Sequence, residues 1–460
     1  MASKSKRARM APERNNSMRF LYWVIAVFII KLGIIFRIEG INAGSPGLVY
    51  FVDGAWLGAD GENYLTGYFA LLRDGIFSPE GILNYWPAGY PLLILFLSLL
   101  GKSWVLTTLS IVQSLIFSYA VYFFATELSK TRLKRFAYLT LLLILFNPTL
   151  SLSSIAVGYE SVTASGLLIC TGLVIRSFLV RNDKKFVKYL VITSTIFSML
   201  SFVQPRLILT GILVILLWII TLKGFKAGVL LIALSLAILL FFPATLIYRN
   251  NKALGIKSIS TNLGVTMNIG AGDKATGGYM KEGFGVPCEL NGTSAQQDNQ
   301  RVRCVLSWYL SNPIKTVELF YNKSIYFWSP WYGPLANGTM ARNPWLTINP
   351  LKDSASTTQE GFNLIFGGFG KIISWIWLLG GIVFLFYGYL TLWKQKLVER
   401  FIGNLAMIAI LSNWLITLFT IGDHRFRIPI MGLSLFLQAI GIKALLSGGK
   451  SRVVDIPAPR

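Results

Sequence analysis

Charged residues are scarce in this chain of 460 residues. Asp, Glu, Lys and Arg together make up 14% of it, against about 25% in soluble globular proteins. Hydrophobic residues make up 54%, and the mean hydropathy is +0.58. This composition excludes an intrinsically disordered chain and a small disulfide-rich secreted domain. It is typical of a protein that spans a membrane.

Histidine and cysteine are nearly absent. His424 is the single histidine, Cys170, Cys288 and Cys304 are the three cysteines, and no CxxC pair occurs. We therefore expect no zinc site, and no residue pattern indicates a cofactor, while dependence on a divalent metal is left open. Cys288 and Cys304 share one long polar stretch, where an oxidising compartment would allow a disulfide. The sequence leaves open whether the two are bridged.

Acidic residues number 20 against 43 Lys and Arg, which gives a formal net charge of +23. The basic residues concentrate in short segments between apolar runs, as in the cytoplasmic loops of membrane proteins, so we do not expect nucleic acid binding. The runs are long enough for about ten transmembrane helices. We predict an all-α polytopic membrane protein with interfacial helices and a large extracytoplasmic loop. The ten apolar runs predicted to span the membrane lie at about 20–36, 104–126, 136–150, 161–180, 187–203, 206–222, 227–247, 372–393, 401–420 and 428–446.

The charge pattern also predicts the orientation of these segments. It indicates a multi-pass protein of the plasma (inner) membrane with both termini cytoplasmic. The basic N-terminus lacks a cleavage site, so we predict that the first helix is retained. The run 90–100 is too short to span, and counting it would place the basic segment 130–135 outside. The predicted parts are a basic tail at 1–19, a seven-span module at 20–247 with an outer loop at 38–103, a large extracytoplasmic loop at 248–371, three spans at 372–446 and a tail at 447–460.

Two carboxylates at the predicted outer face are candidates for catalysis. Asp60 stands before or within the first turn of a predicted surface helix that includes Tyr64, so it is either a helix cap or a general base. Glu160 begins an apolar run just after Asn147 and Pro148. A carboxylate next to apolar sequence is expensive and marks a functional site by default, although a helix N-terminus also favours negative charge.

Several cations share that predicted face. Arg249, Lys323, Arg425 and Arg427 are candidates for binding an anionic phosphate. The alternative for any single basic residue is that its side chain extends along apolar surface to reach water. We expect that alternative for Lys31, near the outer end of the first span.

These residues occur in an order that resembles the order of motifs in one protein family. Asp60 with Tyr64 and the Pro87–Pro91 segment, Asn147-Pro148 with Glu160, Tyr248-Arg249-Asn250, and Arg425-Phe-Arg-Ile-Pro429 are similar to successive motifs of GT-C glycosyltransferases. The resemblance is to the group of protein O-mannosyltransferases and the lipid A aminoarabinose transferase, and it covers about residues 20–440. One departure is that many relatives carry Glu directly after the catalytic Asp, whereas here Gly61 follows and Glu62 comes next.

The resemblance implies a glycosyltransferase that moves a hexose or pentose from a polyprenyl-phosphate donor to an acceptor hydroxyl on a glycan, lipid or protein. It implies an extracytoplasmic active site, inversion at the anomeric carbon, Asp60 as base and Glu160 as its acidic partner. Glu62 and Tyr64 would help bind substrate, and the phosphate would lie among Arg249, Lys323, Arg425 and Arg427. The alternatives are a flippase or transporter for lipid-linked sugars, an O-antigen polymerase or ligase, and a non-catalytic assembly protein.

Overall fold

The computed structural model describes residues 2–39, 49–52, 55–180, 182–278, 285–328 and 363–447. The predicted tail beyond 447 and part of the predicted large loop, at 329–362, therefore lie outside the described residues. Within them the chain is almost entirely helical, which confirms the predicted fold class. A two-stranded antiparallel hairpin, β1 (Val49–Val52) and β2 (Ala55–Gly58), pairs Tyr50 with Leu57.

The first half of the helical bundle runs from α1 to α9. The helices and their bounds are α1 (Ala2–Glu39), α2 (Ala59–Asp74), α3 (Ile82–Tyr85), α4 (Gly89–Ser98), α5 (Val105–Ser129), α6 (Lys134–Phe146), α7 (Pro148–Leu152), α8 (Glu160–Val180) and α9 (Asp183–Val203). Asn147 caps α7, since its side chain accepts a hydrogen bond from the Leu150 N–H at 2.9 Å and Pro148 follows at the first helical position.

The second half runs from α10 to α17. These helices are α10 (Leu207–Lys223), α11 (Phe225–Leu254), α12 (Leu263–Ile269), α13 (Ser294–Ser311), α14 (Pro313–Trp328), α15 (Asn363–Trp393), α16 (Leu397–Phe419) and α17 (Ile428–Leu446). The left-handed Gly255 (φ +69°) ends α11. The capping box of Thr293 and Gln296 begins α13.

Seven of the described helices are long and apolar enough to cross a membrane, or eight if the bent pair Lys134–Phe146 and Thr149–Ile155 forms one span. Leu207–Lys223 and Leu378–Trp393 are shorter apolar helices, and they correspond to the two remaining predicted spans. The run predicted not to span is the ten-residue helix Gly89–Ser98. A continuous core of aromatic and aliphatic side chains joins α1, α5, α6, α8–α10 and α14–α17.

The two predicted outer segments are joined at one end of this bundle. The Thr261 N–H donates to the Asn84 carbonyl at 2.9 Å, and the Asn84 side chain donates to the Thr261 hydroxyl at 3.2 Å. The Gly422 N–H donates to the Gly277 carbonyl at 2.8 Å. A Cβ at Gly422 would lie within 2.8 Å of Lys323 atoms, so only glycine allows this approach. These contacts fix the short segment between α16 and α17 that carries Arg425.

Candidate active site

An enclosed ion pair stands at this end of the bundle. Glu160 is the first residue of α8, and Arg425 belongs to the 3-10 turn His424–Arg427 that leads into α17. The Arg425 Nε lies 3.2 Å from the Glu160 Oε1, and the two side chains are only 5% and 3% exposed. The structure therefore brings together two residues that the sequence placed on one face. An enclosed pair is costly to desolvate, so stability alone is weak grounds for it.

Aromatic side chains surround the pair. The Arg425 guanidinium carbon lies 5.8 Å from the centroid of the Tyr159 ring. Tyr64 packs edge-on against both Tyr159 and Tyr90, with ring centroids 6.4 and 5.0 Å apart. All three tyrosines are buried. The site therefore has an apolar wall that excludes water and strengthens the electrostatic interactions inside it.

The structure places Asp60 as the second residue of α2, so a helix forms where the sequence predicts one. Tyr64 follows four residues later, and residues four apart lie on the same face of a helix. Tyr64 contacts Tyr159, the residue before Glu160, so α2 packs beside the ion pair. Glu62 is exposed on the same helix.

A buried hydrogen-bond network holds the segment just before Glu160. The Tyr90 hydroxyl accepts from the Gly158 N–H at 2.7 Å and donates to the Gln113 carbonyl oxygen at 3.1 Å. The Gln113 amide nitrogen donates to the Ala156 carbonyl at 2.9 Å. Burial raises the pKa of Tyr90, so its hydroxyl stays protonated and can donate. This network fixes the backbone that leads into α8.

Lys31 reaches the same segment from α1. Its Nζ donates to the Ser154 hydroxyl at 3.0 Å and lies 4.0 Å from the centroid of the Phe117 ring. The side chain is only 1% exposed. The expectation that Lys31 extends to water is therefore wrong, because the 3-10 turn Ser153–Ile155 offers it a polar partner inside the bundle.

Arg206 is the residue of this cluster that the predicted set omitted. It precedes α10, and its guanidinium carbon lies 3.8 Å from the Phe426 ring centroid. It interacts electrostatically with Tyr159, Glu160, Asp423 and Arg425. Its Nη1 is inaccessible to water and, among the described residues, has no hydrogen-bond partner. A guanidinium nitrogen in this state is prepared to meet an anion.

Arg427 and Asp423 complete the turn that carries Arg425. The Arg427 Nη1 donates to the Trp328 carbonyl at 3.0 Å, and Arg427 also lies over the Trp328 ring. The Asp423 carboxylate caps the turn by accepting from the Arg425 N–H at 2.8 Å. Arg427 thus links the cluster to the C-terminal end of α14.

Arg249 is engaged within the protein. Its guanidinium donates to the backbone carbonyls of Ile76, Ser78 and Leu83, and to the Asn250 side chain at 2.9 Å. These bonds tie α11 to the segment after α2. The structure therefore gives Arg249 a role in joining these elements.

The Lys323 side chain also forms its hydrogen bonds within the protein. Its Nζ donates to the Tyr309 hydroxyl at 2.7 Å and to the Leu418 carbonyl at 2.9 Å. The side chain is fully buried, and burial lowers its pKa to about 7. Lys323 therefore joins α13 and α14 to the end of α16, two residues before the segment that leads to Arg425.

Cys288 and Cys304 form a disulfide that ties the segment before α13 to the helix itself. Within the described part of the chain, no group of three or more His, Cys, Asp or Glu is placed to hold a metal ion.

Two signals in the sequence could have identified the missed residues. Arg206 is a basic residue in a short predicted outer loop, against the charge asymmetry that governs the other loops. Gln113 is a lone amide inside the apolar run of α5, and a buried amide requires partners. The sequence gives no indication of the role of Tyr90, because tyrosine is common in apolar helices.

No protein-family model and no curated protein matches this chain. Among solved structures it is similar to archaeal oligosaccharyltransferase AglB from Archaeoglobus fulgidus in complex with an inhibitory peptide and a dolichol-phosphate, at 14% identity and a TM-score of 0.45, over 93% of this chain and 51% of that one. The apo form of the Archaeoglobus fulgidus oligosaccharyltransferase gives 13% identity, a TM-score of 0.47 and the same coverage. The chain spans about half the length of these structures.

Proposed function

We propose that this protein is a membrane glycosyltransferase that moves a sugar from a polyprenyl-phosphate donor to an acceptor hydroxyl at the Glu160–Arg425 cluster. The observation that carries the proposal is the enclosed pair itself, with Arg206 beside it presenting a nitrogen that lacks a partner. A lipid-linked phosphate fits this site, because its phosphate would bind the arginines and its hydrocarbon chain would contact the apolar helices.

The proposed chemistry assigns the cations to the leaving group. The bond between the anomeric carbon and the phosphate oxygen breaks, and the phosphate leaves with the electron pair. Arg206 and Arg425 lie where they can stabilise the charge that develops on that oxygen, with Arg427 next along the turn. Arg249 and Lys323 support the surrounding segments through the carbonyls they bind.

The carboxylates are assigned to the acceptor. Asp60 takes the proton of the acceptor hydroxyl as its oxygen attacks the anomeric carbon, and the sugar is transferred with inversion. Glu160 orients Arg425 and helps to hold the acceptor or the sugar. Glu62 and Tyr64, on the helix of Asp60, contribute to the substrate surface. The acceptor class is a glycan, a lipid or a protein, and the sugar is a hexose or a pentose.

The test uses wild-type protein and Asp60→Asn in proteoliposomes supplied with a panel of polyprenyl-phosphate sugars and crude membrane acceptors, with and without EDTA. Consumption of donor with release of polyprenyl phosphate is measured. We expect Asp60→Asn to lower the rate by at least about 100-fold, as for loss of a general base. The matched control is Asp74→Asn at the other end of α2, where Asp74 pairs with Arg73 at the surface.

Equal rates for Asp60→Asn and an active wild type would contradict the role of Asp60. Transport of lipid-linked sugar is the second candidate, because Lys31 is an ionisable group enclosed within a candidate span. The same liposomes distinguish the two functions: movement of donor between leaflets with its sugar intact supports transport and contradicts transfer.

A further inference from the structure

The α13–α14 hairpin exposes a line of apolar side chains, which we call the apolar stripe. Leu310, Ile314, Val317 and Tyr321 are 84%, 87%, 69% and 67% exposed. Ile314, Val317 and Tyr321 follow one face of α14 at intervals of three and four residues, and Leu310 lies in the last turn of α13, just before the Asn312 junction. Exposed apolar residues occur singly on any surface, but three this exposed on one helix face, with a fourth at the end of the helix before it, mark an interaction surface.

The other side of α14 faces the protein. Leu319, Lys323 and Phe327 are buried on the side opposite the stripe. Lys315 and Glu318 pair at 3.0 Å between the two apolar faces. The helix therefore has one face for the core of the protein, a second apolar face without a partner among the described residues, and charges that separate them.

The helix that carries most of the apolar stripe packs against a candidate membrane span. On the candidate span α16, Leu411, Leu415 and Phe419 recur at intervals of four and are 44%, 48% and 38% exposed. The Phe419 ring lies 5.3 Å from the ring of Phe320 on α14. The exposed apolar side of α16 thus ends at the hairpin that carries the stripe.

We infer that the α13–α14 hairpin lies on the lipid bilayer, with the apolar stripe buried at the boundary between headgroups and acyl chains. Amphipathic helices of this kind bind the interface through buried apolar area, with charged side chains at the edges. A protein partner would have to cover the hairpin beside a span that lipid already covers, whereas the bilayer covers both at once. The inference does not depend on the proposed transfer reaction.

This placement has a consequence for the Glu160–Arg425 cluster. Lys323 and Tyr309 meet the end of α16 from the hairpin side, and Arg427 binds the Trp328 carbonyl at the end of α14. A hairpin held at the interface therefore fixes the depth of the turn that carries Arg425.

The experiment uses the full chain with Cys170→Ala, in which the Cys288–Cys304 disulfide stays oxidised. Ile314→Cys and Val317→Cys are labelled with an environment-sensitive maleimide fluorophore. Asn299→Cys is the matched control, because Asn299 is exposed on the same hairpin away from the stripe. The proteins are placed in nanodiscs of phosphatidylcholine and phosphatidylglycerol, with and without lipids that carry a quenching nitroxide on the acyl chain.

We expect quenching at Ile314 and Val317 to exceed that at Asn299 by at least about threefold, as for side chains at the acyl boundary. Equal quenching at the three positions would overturn the inference. Nanodiscs with one copy and with two copies are compared, and quenching that disappears with two copies would assign the stripe to a second copy instead. Leu310→Cys provides a second stripe position if either variant fails to fold.

Discussion

Helix α8 takes part in a pair of a buried carboxylate with an arginine near each of its ends, and the two pairs differ in their access to water. Near its C-terminal end, Arg176 of α8 and Lys130 bind Glu127, which is only 1% exposed. Both cations are well exposed, at 37% and 41%. At the N-terminal end, Glu160 and Arg425 are both enclosed. Because both of its cations remain hydrated, we interpret the Glu127 cluster as a structural link between α5 and α8.

The Glu160 pair has a different character. It joins the start of α8 to the turn before α17, with Arg206 and three tyrosines around it. Desolvating both partners costs several kcal/mol, by analogy with other buried pairs, and a simpler apolar contact would join the two segments as well. Because holding the two segments together does not require these buried charges, their presence indicates a functional site, where a charged substrate would interact with them.

The largest difference between the two clusters should appear in stability. Glu160→Gln leaves Arg425 charged and enclosed, so we expect the free energy of unfolding to fall by about 3–5 kcal/mol. Glu127→Gln lets Arg176 and Lys130 turn to solvent, and the expected loss is about 1 kcal/mol. Denaturant unfolding in mixed micelles measures both, and equal losses would show that the two clusters are alike.

The second comparison concerns the arginines. Arg206→Met removes a guanidinium that has no hydrogen-bond partner for its Nη1, so stability should change little. Binding of polyprenyl phosphate should weaken by about 10–100-fold, which corresponds to the loss of a charge-assisted contact. Titration of polyprenyl phosphate measures the affinity. Arg176→Met is the control, and a matching loss of affinity in that variant would refute a specific role for Arg206.

The network behind Glu160 should have a smaller effect. Tyr90→Phe removes the acceptor of the Gly158 N–H and the donor to Gln113. We expect the free energy of unfolding to fall by about 1–2 kcal/mol, as for a buried donor without a partner. The turnover of donor should fall more than its affinity does, because the start of α8 shifts. Steady-state kinetics with a thermal melt separates the two effects, and Tyr68→Phe, at a buried tyrosine of α2 outside the proposed substrate surface, is the matched variant. An unchanged melt would argue against the network.

Lys323, outside the Glu160 cluster, should give stability a pH dependence. Burial lowers its pKa from 10.5 to about 7, so between these values the unfolded chain binds a proton that the folded chain does not. Stability should therefore rise with pH across this window, by at most about 1.4 kcal/mol per pH unit. Unfolding at pH 7, 8 and 9 measures the slope. Lys323→Met should flatten it, while Lys315→Met on the same helix should leave it; a slope that survives in Lys323→Met would contradict this assignment.

Apolar length and charge asymmetry were sufficient to predict the helical membrane architecture, since a bilayer imposes both on any sequence. The sequence also predicted that the run 90–100 is too short to span and that a helix begins at or just after Asp60. Both features depend on interactions within a few residues of the chain, which explains why they were visible without coordinates.

The partners of the cations could not be predicted in this way. Glu160 and Arg425 meet across most of the chain, and only the packing of α8 against α17 brings them together. Arg249 and Lys323 are basic residues like Arg206, yet their side chains donate to backbone carbonyls. Whether a basic side chain meets a carbonyl, a carboxylate or no partner is decided by tertiary contacts. The roles of the site residues therefore remain predictions that rest on this geometry.

The most direct test of the account compares transfer rates of Glu160→Gln and Glu127→Gln in proteoliposomes, each corrected for the folded fraction. If the Glu160 cluster is the reaction site and the Glu127 cluster only connects helices, Glu127→Gln should stay within about threefold of wild type and Glu160→Gln should fall by about 100-fold or more. Equal rates for the two variants would contradict the central claim.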